Sequence, residues 1–155
     1  RFINLIVVHC SATRCDRSYT EHDLQQTTCA GDSPAQVIIF NPQERGYKTL
    51  RPIGQPGAHV KNHNAHSVGI CYEGGLDERG HPADTRTDFQ KHSLRVLVML
   101  LLRDYPGSRL CGHRDLSPDL DCDGEIEPEE WIKACPCFDA ASILQDSAPP
   151  NPACL

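Results

Sequence analysis

Residues 2–8 read Phe-Ile-Asn-Leu-Ile-Val-Val, and this short apolar run, rich in β-branched side chains, decides the fold class. Its length and composition predict a strand that is buried on both faces, as strands are in the parallel sheets of α/β proteins. The run stops at His9, so an imidazole is expected at the carboxyl end of the strand. Because open α/β sheets assemble their functional sites at the carboxyl ends of strands, we expect a site there.

The rest of the chain predicts further short strands around a long helix. Residues 87–105 carry leucine and valine at helical spacing, and Thr87 with Gln90 matches the capping box that begins many helices. Short apolar runs predict strands at residues 36–40, 47–50, 67–72 and 108–111. Strands that alternate with a long helix predict an α/β fold, a single domain with a central mixed β-sheet flanked by helices.

Composition predicts the boundaries of this domain. Residues 1–139 hold all the predicted elements and have a length typical of one domain. Residues 140–155 contain three prolines and no hydrophobic periodicity, which indicates a loose C-terminal tail. A short helix is also expected to begin at Thr20 and to end within residues 29–34, which contain glycine and proline.

Charge and hydropathy exclude several classes of partner. The chain has 21 acidic and 15 basic residues, a net charge of −6, which is unsuited to nucleic acid or to an anionic membrane surface. No run approaches the roughly 18–20 apolar residues that cross a bilayer. We therefore expect no nucleic-acid partner, no membrane insertion and a monomer. The nine cysteines are an odd number, compatible with mostly reduced thiols or with one or two disulfides in an exported protein.

Three residues that commonly bind metals lie next to predicted elements. His9 follows the first strand, His113 follows the strand at 108–111, and Cys135 lies in a Lys-Ala-Cys-Pro-Cys segment. Zinc binds imidazole nitrogen and thiolate sulfur, and a site with three protein ligands leaves a fourth position open for catalysis. The fold must gather residues this far apart, so their spacing alone also allows each to be an ordinary structural residue.

Four short motifs occur in order along the chain. They are V-V-H-C-S-A-T at residues 7–13, G-A-H at 57–59 followed by S-V-G-I at 67–70, G-H-R-D at 112–115 and K-A-C-P at 133–136. Together they resemble the N-acetylmuramoyl-L-alanine amidases, a family that includes amidase-type phage lysozymes and animal peptidoglycan recognition proteins. The resemblance runs from about Phe2 to Asp139. It implies that family's mixed sheet and a zinc site formed by His9, His113 and Cys135.

The resemblance also implies an activity, hydrolysis of the amide bond between N-acetylmuramic acid and L-alanine, with peptidoglycan or a muropeptide as substrate. Zinc lowers the pKa of a bound water to about 7, which suits this reaction. By resemblance, Lys133 stabilises the oxyanion, while His59 and Asn64 line the substrate groove. Taken alone, Lys133 could equally be a solvated charge and His59 an ordinary loop histidine. The protein is expected either to be exported, its signal removed, or to be a cytoplasmic lysin of phage type.

Two positions depart from the family pattern. Related phage-type amidases carry a Gly-Tyr-His segment whose tyrosine assists the reaction, and the matching position here falls near Val37. Because valine has no group that donates a proton, the alternative hypothesis is a weak or inactive module that binds peptidoglycan on the same fold. In addition, Asn62 replaces a loop glycine, and asparagine tolerates a left-handed backbone.

The acidic loop, residues 119–130, carries a second metal signal. It reads Asp-Leu-Asp-Cys-Asp-Gly-Glu-Ile-Glu-Pro-Glu-Glu and follows the calcium-binding loop of EF-hands, with Gly124 at the sixth position. The expected calcium ligands are Asp119, Asp121, Asp123, the Glu125 carbonyl and Glu130. Because the loop connects the motifs of His113 and Cys135, a calcium ion is predicted to have a structural role. A solvated acidic loop without an ion is the alternative.

Overall fold

The computed structural model describes residues 1–20, 22–24, 35–41 and 43–145. Within these residues, five strands form a sheet in the order β4-β3-β5-β1-β7, and two more form a small separate pair, β2 with β6. The strands are β1 (Leu5–Cys10), β2 (Thr13–Arg14), β3 (Val37–Ile39), β4 (Tyr47–Thr49), β5 (Ser67–Tyr72), β6 (Gly75–Leu76) and β7 (Arg109–Gly112).

Strand β1 lies inside the sheet and is buried along its whole length. It pairs in parallel with β5 on one side and with β7 on the other. The predicted buried strand is therefore confirmed, but it begins at Leu5 and continues to Cys10, because the pairing with β5 extends to Cys10 opposite Tyr72. His9 is thus the second-last residue of the strand and does not belong to the loop that follows.

One antiparallel strand at the edge makes the sheet mixed. Strand β4 runs antiparallel to β3, whereas β3, β5, β1 and β7 are mutually parallel. Because parallel strands end at the same edge, residues that follow β1, β5 and β7 are brought close together. The predicted mixed α/β sheet is confirmed.

The long helix, α1 (Asp88–Asp104), covers one face of the sheet. Its N-terminus has the predicted capping box, in which the Thr87 side chain accepts from the Gln90 amide and the Gln90 side chain accepts from the Thr87 amide. Leu94 and Val98 are fully buried against the sheet. Burial of side chains of this size stabilises a fold by about 1.5–3 kcal/mol each.

The C-terminal part of the domain differs from the prediction. Residues Ala140–Gln145 form a 3₁₀ helix rather than the start of a loose tail, because the side chain of Ile143 is fully buried in the core beside α1. The Arg95 guanidinium also donates to the Leu144 carbonyl at 2.8 Å. The domain therefore extends at least to Gln145. Residues 146–155, the rest of the predicted tail, lie outside the described residues.

Shorter helical segments connect these elements. The predicted start at Thr20 is confirmed, since its hydroxyl accepts from the Asp23 amide at 3.1 Å and residues 22–24 are helical. The predicted end of that helix at 29–34 lies outside the described residues. None of the helices in the described ranges has the length and hydrophobicity to span a bilayer. The 3₁₀ helices besides Ala140–Gln145 are Gln43–Arg45, Asn64–His66, His113–Leu116 and Pro128–Glu130.

Candidate metal centre

The sheet brings His9 and His113 side by side. Val8 of β1 is in register with Gly112 of β7, so the two histidines follow paired residues at the same edge. Their ring centroids are 4.9 Å apart. Cys135, from the loop after the acidic loop, completes the group, since one nitrogen of each histidine and the cysteine sulfur all lie within 4.8 Å of one another. We call His9, His113 and Cys135 the ligand trio.

The geometry and chemistry of the ligand trio fit zinc. With Zn–N bonds of about 2.0–2.1 Å and Zn–S bonds of about 2.3 Å, a tetrahedral site places N and S roughly 3.5 Å apart. The His9 Nδ1 and Cys135 Sγ atoms are 3.9 Å apart. The His113 Nδ1 atom is buried with no hydrogen-bond partner among the described residues, and such an atom calls for a ligand. Two imidazoles and a thiolate would leave a fourth position open.

A chain of hydrogen bonds continues behind His9. Its Nε2 atom lies 2.9 Å from His59 Nδ1, and His59 Nε2 lies 3.1 Å from the Ser67 hydroxyl. If His9 binds a metal through Nδ1, its proton is on Nε2 and is donated to His59, which in turn donates from its own Nε2 to Ser67. Such a partner fixes both the tautomer and the ring orientation of a ligating histidine.

The side chain of His59 lies behind His9 and is only 3% exposed. Gly69 of β5 makes room for it, because a Cβ atom there would lie 2.9 Å from the imidazole ring. The substrate contact predicted for His59 stays a prediction. Its contact with His9 suggests a second role, in which His59 positions the His9 ring.

Asn64 also has a role within the protein. Its side-chain oxygen accepts hydrogen bonds from the backbone amides of His59 and Val60, both at 2.9 Å. These contacts hold the loop that carries His59, and the predicted contact of Asn64 with substrate stays a prediction. In the same loop Asn62 has a φ of 69°, which confirms that it occupies the left-handed backbone expected of the residue that replaces glycine.

Several groups hold Cys135 in place. Its sulfur accepts from the backbone amide of Cys10 at 3.3 Å, and its carbonyl accepts from the Arg114 amide at 2.8 Å. The hydroxyl of Tyr72 donates to the carbonyl of the next residue, Pro136, at 2.6 Å. Sequence reasoning missed this tyrosine. The signal was available, since Tyr72 ends a strand predicted to be buried and a buried phenol hydroxyl needs a partner.

A cavity of about 360 Å³ opens beside Cys135 and is mainly apolar. Lys133, Leu76 and Pro82 contribute to its lining. Lys133 is exposed, so its ammonium can remain solvated while it reaches the cavity. Lys133 therefore lines the same cavity as Cys135 of the ligand trio, and its oxyanion-stabilising role stays a prediction.

Val37 lies away from this cavity. It belongs to β3, which is separated from β1 by β5, and it pairs with Ile70 in the buried part of the sheet. Its side chain is 6% exposed. Where the family pattern has tyrosine, this chain therefore has a buried apolar residue, and its strand carries no ionisable side chain.

The acidic loop folds around its own carboxylates. Asp119 accepts from the amides of Cys122 and Gly124 at 2.6 and 2.8 Å, and Gly124 has a φ of 92°, as the sixth position requires. Carboxylate oxygens of Asp119, Asp121 and Glu130 approach within 4.8 Å of one another, as do those of Asp121, Asp123 and Glu127. The Glu125 amide donates to the Asp123 carboxylate at 2.9 Å. Desolvation, the hydrogen bond to Glu130 and the charge of Asp123 raise the pKa of Glu127 to about 7.

Comparisons with known proteins agree with this geometry. No protein-family model matches the chain. An uncharacterised protein of Haemophilus influenzae is 51% identical over 96 residues, 62% of this chain and 83% of that protein. The endolysin of Klebsiella phage KP32 is 32% identical over 135 residues, which cover 86% of this chain and 80% of the endolysin.

A solved structure shares the fold. The N-acetylmuramoyl-L-alanine amidase LysC from Clostridium intestinale superimposes with a TM-score of 0.57 at 23% identity, over 83% of this chain and 80% of LysC. The endolysin match extends across most of both chains. The chain therefore belongs to the N-acetylmuramoyl-L-alanine amidase family, as a relative of the phage endolysins.

Proposed function

We propose that the protein hydrolyses the amide bond between N-acetylmuramic acid and L-alanine in peptidoglycan and that it does so with zinc. The observation that carries the proposal is the ligand trio, two imidazoles and a thiolate gathered within 4.8 Å next to a cavity. The endolysin relatives and the amidase fold support the same reaction class.

The residues around the ligand trio prepare it for this reaction. Zinc with three protein ligands supplies a nucleophile at neutral pH and polarises a carbonyl group. The contacts of His9 with His59 and of His59 with Ser67 suit a His9 that carries its proton on Nε2, which would leave Nδ1, on the Cys135 side, to bind zinc. The Cys10 amide and the Tyr72 hydroxyl hold the thiolate side, so the site is organised before substrate arrives.

Lys133 is the proposed catalytic side chain. Its exposed ammonium lies at the cavity that the substrate carbonyl would enter. A cation placed where negative charge develops stabilises the transition state more than the ground state. We assign it the oxyanion of the scissile amide.

The experiment is metal removal and replacement on the purified protein. Purified cell wall is incubated with the zinc-loaded protein, and newly freed L-alanine amino groups are measured. Chelation should abolish release, one equivalent of zinc should restore it, and Cys135→Ser should be inactive because one ligand is weakened. The matched control is Cys122→Ser, since Cys122 is exposed in the acidic loop. Full zinc occupancy with intact wall binding but no release would overturn the proposal in favour of the non-catalytic binding module.

For the acidic loop, we propose that a calcium ion binds Asp119, Asp121, Asp123, the carbonyl of Glu125 and Glu130. Its support is the clustering of these carboxylates around a turn with the backbone that the EF-hand loop requires. The ion would be structural, because the loop leads from the His113 segment to Cys135.

A further inference from the structure

Two cysteines outside the ligand trio lie next to it. The sulfurs of Cys10 and Cys137 are 3.9 Å apart, a non-bonded distance. Cys10 directly follows His9 on β1, and Cys137 lies two residues beyond Cys135. The two cysteines thus flank two of the proposed zinc ligands on segments that are 127 residues apart in sequence.

The backbone positions the two sulfurs toward each other. Cys137 has a φ of 69°, and its amide donates to the Ala134 carbonyl at 2.7 Å, so the turn after Cys135 is tight. Gly75 leaves space beside the pair, because a Cβ atom there would lie 2.5 Å from the Cys10 sulfur and 3.7 Å from the Cys137 sulfur. A disulfide needs sulfurs about 2.05 Å apart, so the two sulfurs must move roughly 2 Å closer to each other to form the bond.

We propose that Cys10 and Cys137 form a disulfide bond when the protein meets a low-molecular-weight disulfide such as oxidised glutathione. Cys137 lines the cavity and is partly exposed, so its sulfur reacts first. The Cys137 sulfur attacks one glutathione sulfur, the glutathione S–S bond breaks, and one glutathione thiol leaves. The buried Cys10 sulfur then attacks the Cys137 sulfur and releases the second glutathione thiol. Two protein thiols are oxidised and one glutathione disulfide is reduced.

The cross-link would join the two halves of the zinc site. It ties the end of β1, next to His9, to the turn next to Cys135. A disulfide that closes a long loop restricts the unfolded chain and so stabilises the native state. We therefore expect a higher Tm in the oxidised protein. On the further premise of the proposed function, we also expect slower loss of zinc to a chelator.

The test is disulfide mapping of the zinc-loaded protein after incubation with oxidised glutathione. Trypsin leaves Cys10 in the peptide 2–14 and Cys137 in the peptide 134–155, which also holds Cys135 and Cys154, so tandem mass spectrometry must identify the partner. We expect a Cys10–Cys137 cross-link and a Tm that falls on reduction. Cys137→Ser should lose the cross-link and the fall in Tm. Cys122→Ser, which replaces an exposed cysteine of the acidic loop, should keep both.

The contrary results are equally clear. Alkylation of Cys10 and Cys137 when the oxidised protein is unfolded without reductant, or a cross-link from Cys10 to any other cysteine, would overturn the proposal. Neither readout depends on amidase activity. A protein that forms the cross-link but releases no L-alanine termini would retain the disulfide proposal and lose the proposed function.

Discussion

The ligand trio and the acidic loop are two clusters of metal-binding side chains that are built in opposite ways. The ligand trio draws its members from β1, from the end of β7 and from a later loop, and His9 and Cys135 are 1% and 6% exposed. The acidic loop takes all its carboxylates from twelve consecutive residues, and Asp121 and Asp123 are exposed. One cluster is therefore a product of the whole fold, and the other is a product of local sequence.

This difference predicts how each cluster behaves without an ion. The imidazoles and the sulfur of the ligand trio are held in place by the sheet and by partners such as His59, so we expect the ligand trio to keep its geometry. In the acidic loop, desolvation, the hydrogen bond to Glu130 and the charge of Asp123 together raise the pKa of Glu127 to about 7, so a loop without an ion holds its carboxylates at a cost. We expect the metal to supply chemistry at the first cluster and mainly stability at the second.

Among the side chains that are not proposed zinc ligands, the largest effect should come from the one that would act on the substrate itself. Lys133→Met removes the cation from the cavity but none of the proposed zinc ligands. We expect kcat to fall by about 100–1000-fold, the usual cost of losing one oxyanion-stabilising group, while zinc content stays at one equivalent. The measurement is release of L-alanine amino groups together with metal analysis.

Lys133→Arg is the matched variant, since it keeps the charge at the same exposed position. It should recover part of the lost activity. Equal activity in the methionine variant and in the unchanged protein would show that Lys133 is only a solvated charge.

A smaller effect tests whether the ligand trio is organised in advance. His59→Ala removes the imidazole whose Nδ1 atom lies 2.9 Å from His9 Nε2. Loss of a hydrogen-bond partner of a ligating histidine weakens metal binding by about 10–100-fold. Zinc affinity, measured by competition with a chromophoric chelator, should fall in that range, and His59→Gln should restore part of it through its side-chain amide.

The same variant separates the two roles considered for His59. A residue that positions His9 changes zinc affinity, whereas a residue that lines the substrate groove raises KM with zinc affinity intact. The second pattern would show that His59 lines the substrate groove and would contradict the inference that it positions His9.

The members of the ligand trio were predictable from sequence, but their supports were not. His9, His113 and Cys135 sit in short motifs that resemble the amidase family, and it is this resemblance that implied a zinc site. The contact between His9 and His59 depends on the pairing of β1 with β5 and on the missing Cβ of Gly69, two long-range facts. A motif that contains His59 does not show on which side of the sheet its imidazole lies.

Strand β1 and residues 140–145 show the same limit, because long-range contacts decide their structure. Strand β1 was expected to end at Val8, but pairing with β5 extends it to Cys10. Residues 140–145 were expected to be loose because they lack periodicity, yet Ala140 and Ile143 are buried in the core and Arg95 bonds to the Leu144 carbonyl. In contrast, the capping box of α1 and the backbone of Asn62 were predicted correctly, because both depend on residues only a few positions apart.

The smallest effect concerns the acidic loop and decides whether it is a metal site at all. Asp121 belongs to both carboxylate triads, so Asp121→Ala should weaken calcium binding more than the loss of a peripheral residue such as Glu129. Calcium at a hundredfold excess over its Kd would stabilise the folded protein by about 2.7 kcal/mol, seen as a rise in Tm. Asp121→Ala should lose that rise, Glu129→Ala should keep it, and in chelator all three proteins should melt alike. An equal drop in Tm with calcium and with chelator would reject the loop as a calcium site. The acidic loop would then be a turn whose carboxylates only accept hydrogen bonds from backbone amides of the same loop, in contrast to the ligand trio, which the whole fold assembles.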